Sequence, residues 1–265
     1  MRIGTNMPFP EAADTYIMKR LLQHTLISSL ILLMPLVPGY AAEADEANAE
    51  LTRLLKLRLG TDRIDPPVET GVEGVYQTRF GNKFAYLIDG GRYVFIGDMI
   101  DLKLAKNLTE ISRRDLIVKE LASFSEDKLI IFPASDIELA VLNVFTDTSC
   151  GYCQKLHTEV GYLQDAGISV HYFPYPRGGK RGPGYKDLQK VWCASDKAKA
   201  MSIAKGTANG SLSSGLCESA KIIDEGYALG NRIGVTGTPA LFAADGTKFN
   251  GYVPYQELIP QLLNN

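Results

Sequence analysis

Hydrophobic positions change their rhythm several times along the chain. After Lys19-Arg20 comes an almost continuous apolar run, "LLQHTLISSLILLMPLVPG". The stretch "DEANAELTRLLKLRLG" then spaces Leu51, Leu54, Leu55 and Leu57 as one face of a short helix, which Gly60 ends. Next come short strand-like runs, "GVYQTRF", "KFAYLID", "RYVFIGD" and "MIDLKL", broken by Gly81-Asn82 and Gly90-Gly91. Two-residue, Gly-rich breaks between such runs predict an antiparallel meander. This unit, residues 45–106, is small for an independent core and would gain by pairing with a second copy. "NLTEISRRDLIVKELASF" predicts a connecting helix over 107–123, with Asn107 as N-cap and Glu110 as its capping-box partner.

From residue 124 the pattern is that of a larger domain, running to residue 265. "DKLIIFPAS" and "IELAVLNVFTD" read as strands, and the near-continuous apolar character of the second suits a buried central position. A helix is expected from Cys150, then the strand "GISVHYFPYP", then helices over about 184–206 and 217–233. "TPALFAADGTKFNGYV" predicts a hairpin turned at Asp245-Gly246, and "PYQELIPQLL" a closing helix. A strand–helix–strand followed by helices, a hairpin and a last helix is the thioredoxin-like order. The expected class is mixed, α/β in the larger domain and α+β overall.

Charge and composition narrow the partners. The formal net charge of −2 supplies no basic field for nucleic acid, so none is expected as a partner. The N-terminus has the three parts of a secretory signal: the basic Met18-Lys19-Arg20, the apolar run, and an exit of small residues. Cleavage is expected after Ala41 or Ala44, which makes residues 1–41 the signal, and Met18 is the expected true start. The alternative, an uncleaved anchor, is weakened by His24, Ser28, Ser29, Pro35 and Pro38 within the run. Export places the chain where disulfides persist.

That setting matters for the four cysteines, Cys150, Cys153, Cys193 and Cys217, which allow three pairings. "SCGYCQKLH" holds the close pair. Haem attachment needs a histidine directly after the second cysteine, and Gln154 stands there. A structural zinc site needs four ligands at short spacing, and the remaining cysteines and histidines do not supply them, so no metal or other cofactor is expected. A reactive dithiol remains. With Cys150 at a helix N-terminus, unpaired backbone N–H groups and the helix dipole favour its thiolate. Cys153, one turn on, would resolve a mixed disulfide, its own pKa raised by burial. Gly151 and Tyr152 need only let the turn form. Thr238-Pro239, just before a strand, is the second signal: in thioredoxin-like proteins, whose element order this chain resembles, a cis proline faces the active-site sulfurs, the alternative being an ordinary trans proline at a strand start.

Together "VFTDTSCGYCQKLH", "VWCASDKAKA", "YALG" and "GVTGTPALF" resemble the periplasmic disulfide isomerases of the bacterial DsbC/DsbG group, and the Gly-Tyr dipeptide points to the DsbC branch. The resemblance is strong over 138–260 and mostly one of layout over 45–123. It implies a catalytic pair at Cys150 and Cys153, a substrate wall at Thr238 and Pro239 beside Gly151 and Tyr152, and a structural disulfide between Cys193 and Cys217. Closing that loop would stabilise by roughly 3 kcal/mol. It also implies a thioredoxin-like domain with a helical insertion behind a small cystatin-like dimerisation domain. A periplasmic homodimer follows, kept reduced by a membrane reductase of the DsbD type, acting on misoxidised exported proteins and binding unfolded chains as a chaperone. The alternatives are a holdase with secondary redox activity and a net oxidant like DsbA.

The remaining residues carry weaker expectations. Thioredoxin has a buried acid six residues before its first cysteine, where this chain has Val144; Asp147 lies closer and is expected to cap the turn. Trp192 is expected in the core and His171 half-buried. His157 is expected on a helix surface, with tuning of the thiolate as the alternative. "YPRGGKRGPG" is expected to be a solvated loop, or else the rim of a substrate cleft.

Overall fold

The alternating runs of the first unit become a four-stranded antiparallel sheet. A computed structural model describes residues 39–60, 62–213, 215 and 217–264, with side chains from residue 49. The basic–apolar segment read as an export signal lies outside these residues. Helix α1 (Gly39–Leu59) starts six residues before the expected Asp45, because the Ala- and Glu-rich stretch ahead of it is a good helix former. Ala41 and Ala44 fall inside it. The chain from Asn48 onward forms one compact unit.

Strands β1 (Val68–Glu69), β2 (Val75–Phe80), β3 (Lys83–Ile88) and β4 (Tyr93–Ile96) lie in sequence order across this sheet. The β2–β3 hairpin is registered by Phe80 opposite Lys83, and Gly81 takes the positive φ its turn requires. Leu87 is fully buried and packs with Leu55 and Ile64. The run "MIDLKL" is not one strand. Only β5 (Ile100–Asp101) pairs, with β6 (Lys106–Asn107). Asp101 accepts from the amides of Lys103 and Leu104, and that side-chain competition for the backbone turns the segment.

Helix α2 (Leu108–Ala122) starts as expected, with Asn107 accepting from the Glu110 amide at 2.9 Å. The reciprocal half of the capping box is not made, because the Glu110 carboxylate pairs with Arg113 and Arg114. Nor is α2 only a connector. Ile117 and Leu121 are buried in a core of the larger domain with Phe124, Phe145 and Phe242.

That domain is built on a five-stranded sheet. Its strands are β7 (Ile130–Phe132), β8 (Ala140–Thr146), β9 (Ile168–Pro174), β10 (Ala240–Ala243) and β11 (Lys248–Phe249), in the order β11-β10-β8-β9-β7. β8 and β9 are parallel and the other pairs antiparallel. β8 is central, as its apolar run predicts. Leu142 and Val144 face one core with Val170, Tyr172 and Leu241; Phe145 faces the other with Phe173 and Phe242. Helices α3 (Gly151–Thr158), α4 (Val160–Asp165) and α8 (Tyr255–Leu263) cover the first face.

Between β9 and β10 lies a helical insertion: α5 (Tyr185–Trp192), α6 (Lys197–Ala204) and α7 (Ile222–Arg232). The sulfurs of Cys193 and Cys217 within it are 2.03 Å apart, a bonded distance. Trp192 is a core residue, 1% exposed, and donates from Nε1 to the Lys128 carbonyl at 2.8 Å.

Phe145 stacks on Phe173 at 4.8 Å and meets Tyr175 and Phe242 edge-on, with no accessible surface of its own. Phe145→Ala is expected to cost about 3–5 kcal/mol in urea unfolding, through lost burial and the cavity left behind.

Candidate redox site

The end of β8 delivers "TDTSC" to the start of α3, and this junction builds the site. Asp147 is fully buried. Its Oδ1 accepts from the amide and hydroxyl of Ser149, both at 2.9 Å, so it caps the turn as expected. Its Oδ2 does something the sequence did not suggest: it accepts from the amide and Nε of Arg177, at 2.8 and 3.2 Å. Arg177 also donates to the Ser149 carbonyl at 3.0 Å. The loop "YPRGGKRGPG" is therefore bound to the cysteine turn by Arg177. The approach is close enough that a Cβ on Gly184 would collide with the Asp147 carboxylate.

Cys150 is the N-cap of α3, and its sulfur accepts from the Cys153 amide at 3.3 Å. Its thiol donates to the Thr238 carbonyl at 3.1 Å. Both cysteines are unpaired and buried, at 2% and 1% exposure. The Thr238–Pro239 bond is cis, and the Thr238 hydroxyl is buried without a hydrogen-bond partner. The structure thus gathers Cys150, Cys153 and Thr238-Pro239, drawn from positions 89 residues apart. Gly151 and Tyr152, between the two cysteines, are both exposed. Tyr152 is 64% exposed and stacks on Tyr252 at 5.8 Å, while Lys155 lies over the same ring at 4.6 Å.

The two thiols differ sharply in acidity. A hydrogen bond from the Cys153 thiol does most to bring Cys150 down to about 5, against the opposing effect of burial; Thr238, the Cys153 amide and the Arg177 charge act in the same direction. Burial, with the hydrogen bond to Cys150, pushes Cys153 far above the usual thiol range, and the Lys205 charge works against that rise. At neutral pH the first favours the thiolate and the second the thiol.

Two basic residues lie beneath the pair; Lys205 was not legible as a site residue, and His157 only as an alternative. Lys205, which ends α6, is 4% exposed and donates to Thr146 Oγ1 at 2.8 Å and to the Asp147 carbonyl at 2.7 Å. Its signal in the sequence is faint: it falls four residues after the buried Met201 and so lies on the same helix face. His157 is not a surface histidine. It is 6% exposed, bonded to the Tyr172 hydroxyl at 2.9 Å and to Ser202 Oγ at 3.1 Å. Burial and then the Lys205 charge depress it to about 4, so it is neutral at pH 7. The parallel β8–β9 pairing brings Tyr172 opposite Val144 and so beneath α3. His171 is half-buried on β9, as expected. Among the described residues, no group of three or more His, Cys, Asp or Glu side chains is placed to hold a metal ion.

A family described as the disulfide bond isomerase protein N-terminal domain matches residues 40–110, and one described as a thioredoxin-like domain matches 128–264. The thiol:disulfide interchange protein DsbC of Escherichia coli (strain K12) is 33% identical over 229 residues, covering 86% of this chain and 92% of that protein. The chain belongs to the DsbC family. The DsbC of Dickeya dadantii (strain 3937) is 32% identical over 234 residues, with 88% and 93% covered. Among solved structures, a disulfide interchange protein from Neisseria gonorrhoeae is 26% identical, covers 52% of this chain and 98% of its own, and has a TM-score of 0.43. Membership makes the chain a thiol–disulfide oxidoreductase with a thioredoxin-like domain behind a DsbC-type N-terminal domain.

The depressed Cys150 pKa has a stability consequence of fixed sign. The thiolate's contribution to the reduced form is complete above the ordinary thiol range, about 8.5, and is lost as the pH falls through about 5. Alkylation of the reduced protein is expected to rise through a midpoint near 5, from Cys150 alone. Arg177→Met should move that midpoint upward by about one unit or less, since the guanidinium is partly solvated. An unchanged midpoint, followed by mass spectrometry of the alkylated peptide, would remove Arg177 from the site.

Proposed function

We propose that this DsbC-family chain rearranges and reduces incorrect disulfides in exported proteins, with Cys150 as nucleophile and Cys153 as resolving thiol. The observation that carries this reading is the placement of two buried thiols one turn apart at the N-terminus of α3, beside the cis Thr238–Pro239 bond, with the thiolate favoured at Cys150 and the thiol at Cys153. The Cys150 thiolate attacks a substrate disulfide. A Cys150–substrate bond forms, and the displaced substrate sulfur leaves with the old bond's electron pair, taking a proton from water. In isomerisation another substrate thiolate then displaces Cys150, so no net electrons pass. In reduction Cys153 displaces the substrate sulfur, and the Cys150–Cys153 disulfide that results must be reduced again by an external dithiol donor. The family resemblance gives that role to a membrane reductase of the DsbD type.

Thr238 and Pro239 form the wall against which the substrate lies. Once Cys150 is a thiolate it no longer donates to the Thr238 carbonyl, which is then free to accept a substrate amide. Tyr152, with Gly151 beside it, offers apolar surface at the entrance. The Cys193–Cys217 bond is read as structural, since it ties the helical insertion together.

Homodimerisation through the N-terminal unit is part of the same reading. β4 ends its sheet, and all four of its residues, Tyr93, Val94, Phe95 and Ile96, are 39–59% exposed. An apolar edge strand with unpaired backbone groups is a pairing surface that soluble proteins otherwise protect. Two sites facing one another would grip unfolded chains, which supports chaperone activity. Export to the periplasm is proposed from the N-terminal pattern and the family. No described helix is long and apolar enough to cross a membrane.

Cys150→Ser is expected to abolish rescue of scrambled ribonuclease and to leave suppression of aggregation of a cysteine-free client largely intact. Full rescue by that variant would favour the holdase reading. Separately, Phe95→Lys is expected to convert a dimer to a monomer in sedimentation equilibrium and to lower isomerase activity, with reduction of a small disulfide substrate unchanged. A dimer that survives this change would move the interface elsewhere.

A further inference from the structure

Lys205 is a buried cation without a carboxylate of its own. Its Nζ meets a hydroxyl and a carbonyl, Thr146 Oγ1 and Asp147 O. Among the described residues, no carboxylate oxygen lies within ion-pair distance of it. The one carboxylate nearby belongs to Asp147 and is already engaged by Ser149 and Arg177. A buried charge left in that condition is costly unless another anion answers it. The Asp147 carbonyl that Lys205 binds also accepts from the Cys150 amide, at 3.2 Å, so the ammonium sits on the strand end that carries the thiols.

The groups facing Lys205 come from every element around it. From α3 and the turn before it, Cys153, Cys150 and Asp147 favour its charged form; Arg177, from the loop after β9, opposes it, and burial opposes it most. His157, one turn beyond Cys153, feels the same charge and stays neutral. Tyr172, on β9, is bonded to His157 and is kept protonated by burial and by the proximity of Cys153. The anions able to answer Lys205 are thus the thiolates themselves.

We propose that Lys205 is the buried counter-charge of the dithiol, stabilising the Cys153 thiolate as it attacks the mixed disulfide. Its charge then sets how often an intermediate ends in reduction rather than rearrangement. The inference rests on the reading of Cys150–Cys153 as the redox pair. In the step concerned, Cys153 loses its proton to water and its sulfur pair forms the bond to Cys150. The Cys150–substrate bond breaks, and the substrate sulfur departs as a thiolate with that bond's electrons. Over this step and the attack that formed the mixed disulfide, the protein is oxidised by two electrons and the substrate disulfide reduced by two. Lys205 touches no reacting bond in the structure and is a positioning residue.

The test uses the full chain carrying a Cys150 mixed disulfide with thionitrobenzoate, whose release by Cys153 is followed by absorbance from pH 5 to 9. Lys205→Met, which keeps the stem and removes the charge, is expected to slow release about tenfold, one pKa unit on Cys153. Its pH–rate profile should shift to higher pH. An unchanged rate and profile in the variant would overturn the role of Lys205 alone. No release from the unmodified chain would overturn the dithiol reading and this inference with it. If the variant does not fold, the Nζ resonance of Lys205 in the unmodified protein decides. By linkage, it is expected to titrate at lower pH in the disulfide form than in the reduced form. Equal midpoints in the two forms would overturn the proposal.

Discussion

A negative charge must be kept on sulfur in a place almost closed to water, and the larger domain is arranged around that demand. Cys150 is 2% exposed, yet its thiolate is favoured. Burial alone would have the opposite effect. The balance is turned by groups that cannot move away: the Cys153 thiol and amide, the start of α3, and Arg177 held by Asp147. Each is fixed by something deeper. α3 is seated by Leu156 against Val144 and Tyr172, and β8 is held between neighbours on both sides. Displacing the β8–α3 junction would remove the hydrogen bonds and leave the desolvation.

The same demand explains why so many polar groups lie beneath the pair. Asp147 is fully buried but has every interaction a carboxylate needs, with four donor contacts from Ser149 and Arg177. His157 is buried and neutral, with both ring nitrogens engaged. Lys205 differs in having acceptors without an opposite charge. In DsbC-family chemistry the sulfurs alternate between neutral and anionic forms, so the site beneath them must tolerate both. A cation bonded to neutral acceptors can do so, where a tight carboxylate pair would have spent its field already.

The two units meet the solvent differently. In the larger domain both faces of the sheet are covered, and β8 and β9 carry their hydrophobic residues inward on each side. In the N-terminal unit, β3 is well covered while β4 leaves four apolar side chains open. The α2 helix joins the two through more than covalent linkage, since Ile117 and Leu121 complete a core that the strand pattern alone would leave open.

The sequence by itself determined the order of elements, the central place of β8 and the spacing that puts Cys150 and Cys153 one helical turn apart. All of these rest on local signals: apolar runs, turn residues, and cysteines one helical turn apart. Three things were decided only by tertiary structure. "MIDLKL" was split by a side chain that captured backbone amides, and α2 was drawn into a core. Most of all, Arg177 and Lys205 were brought to the sulfurs from positions up to 55 residues away, and His157 was buried against Tyr172 and Ser202. Nothing local marks such residues, because a histidine or lysine on a helix reads as solvated until the partner that covers it is known. Electrostatic neighbours act through space, and the distances that make them matter are set by packing.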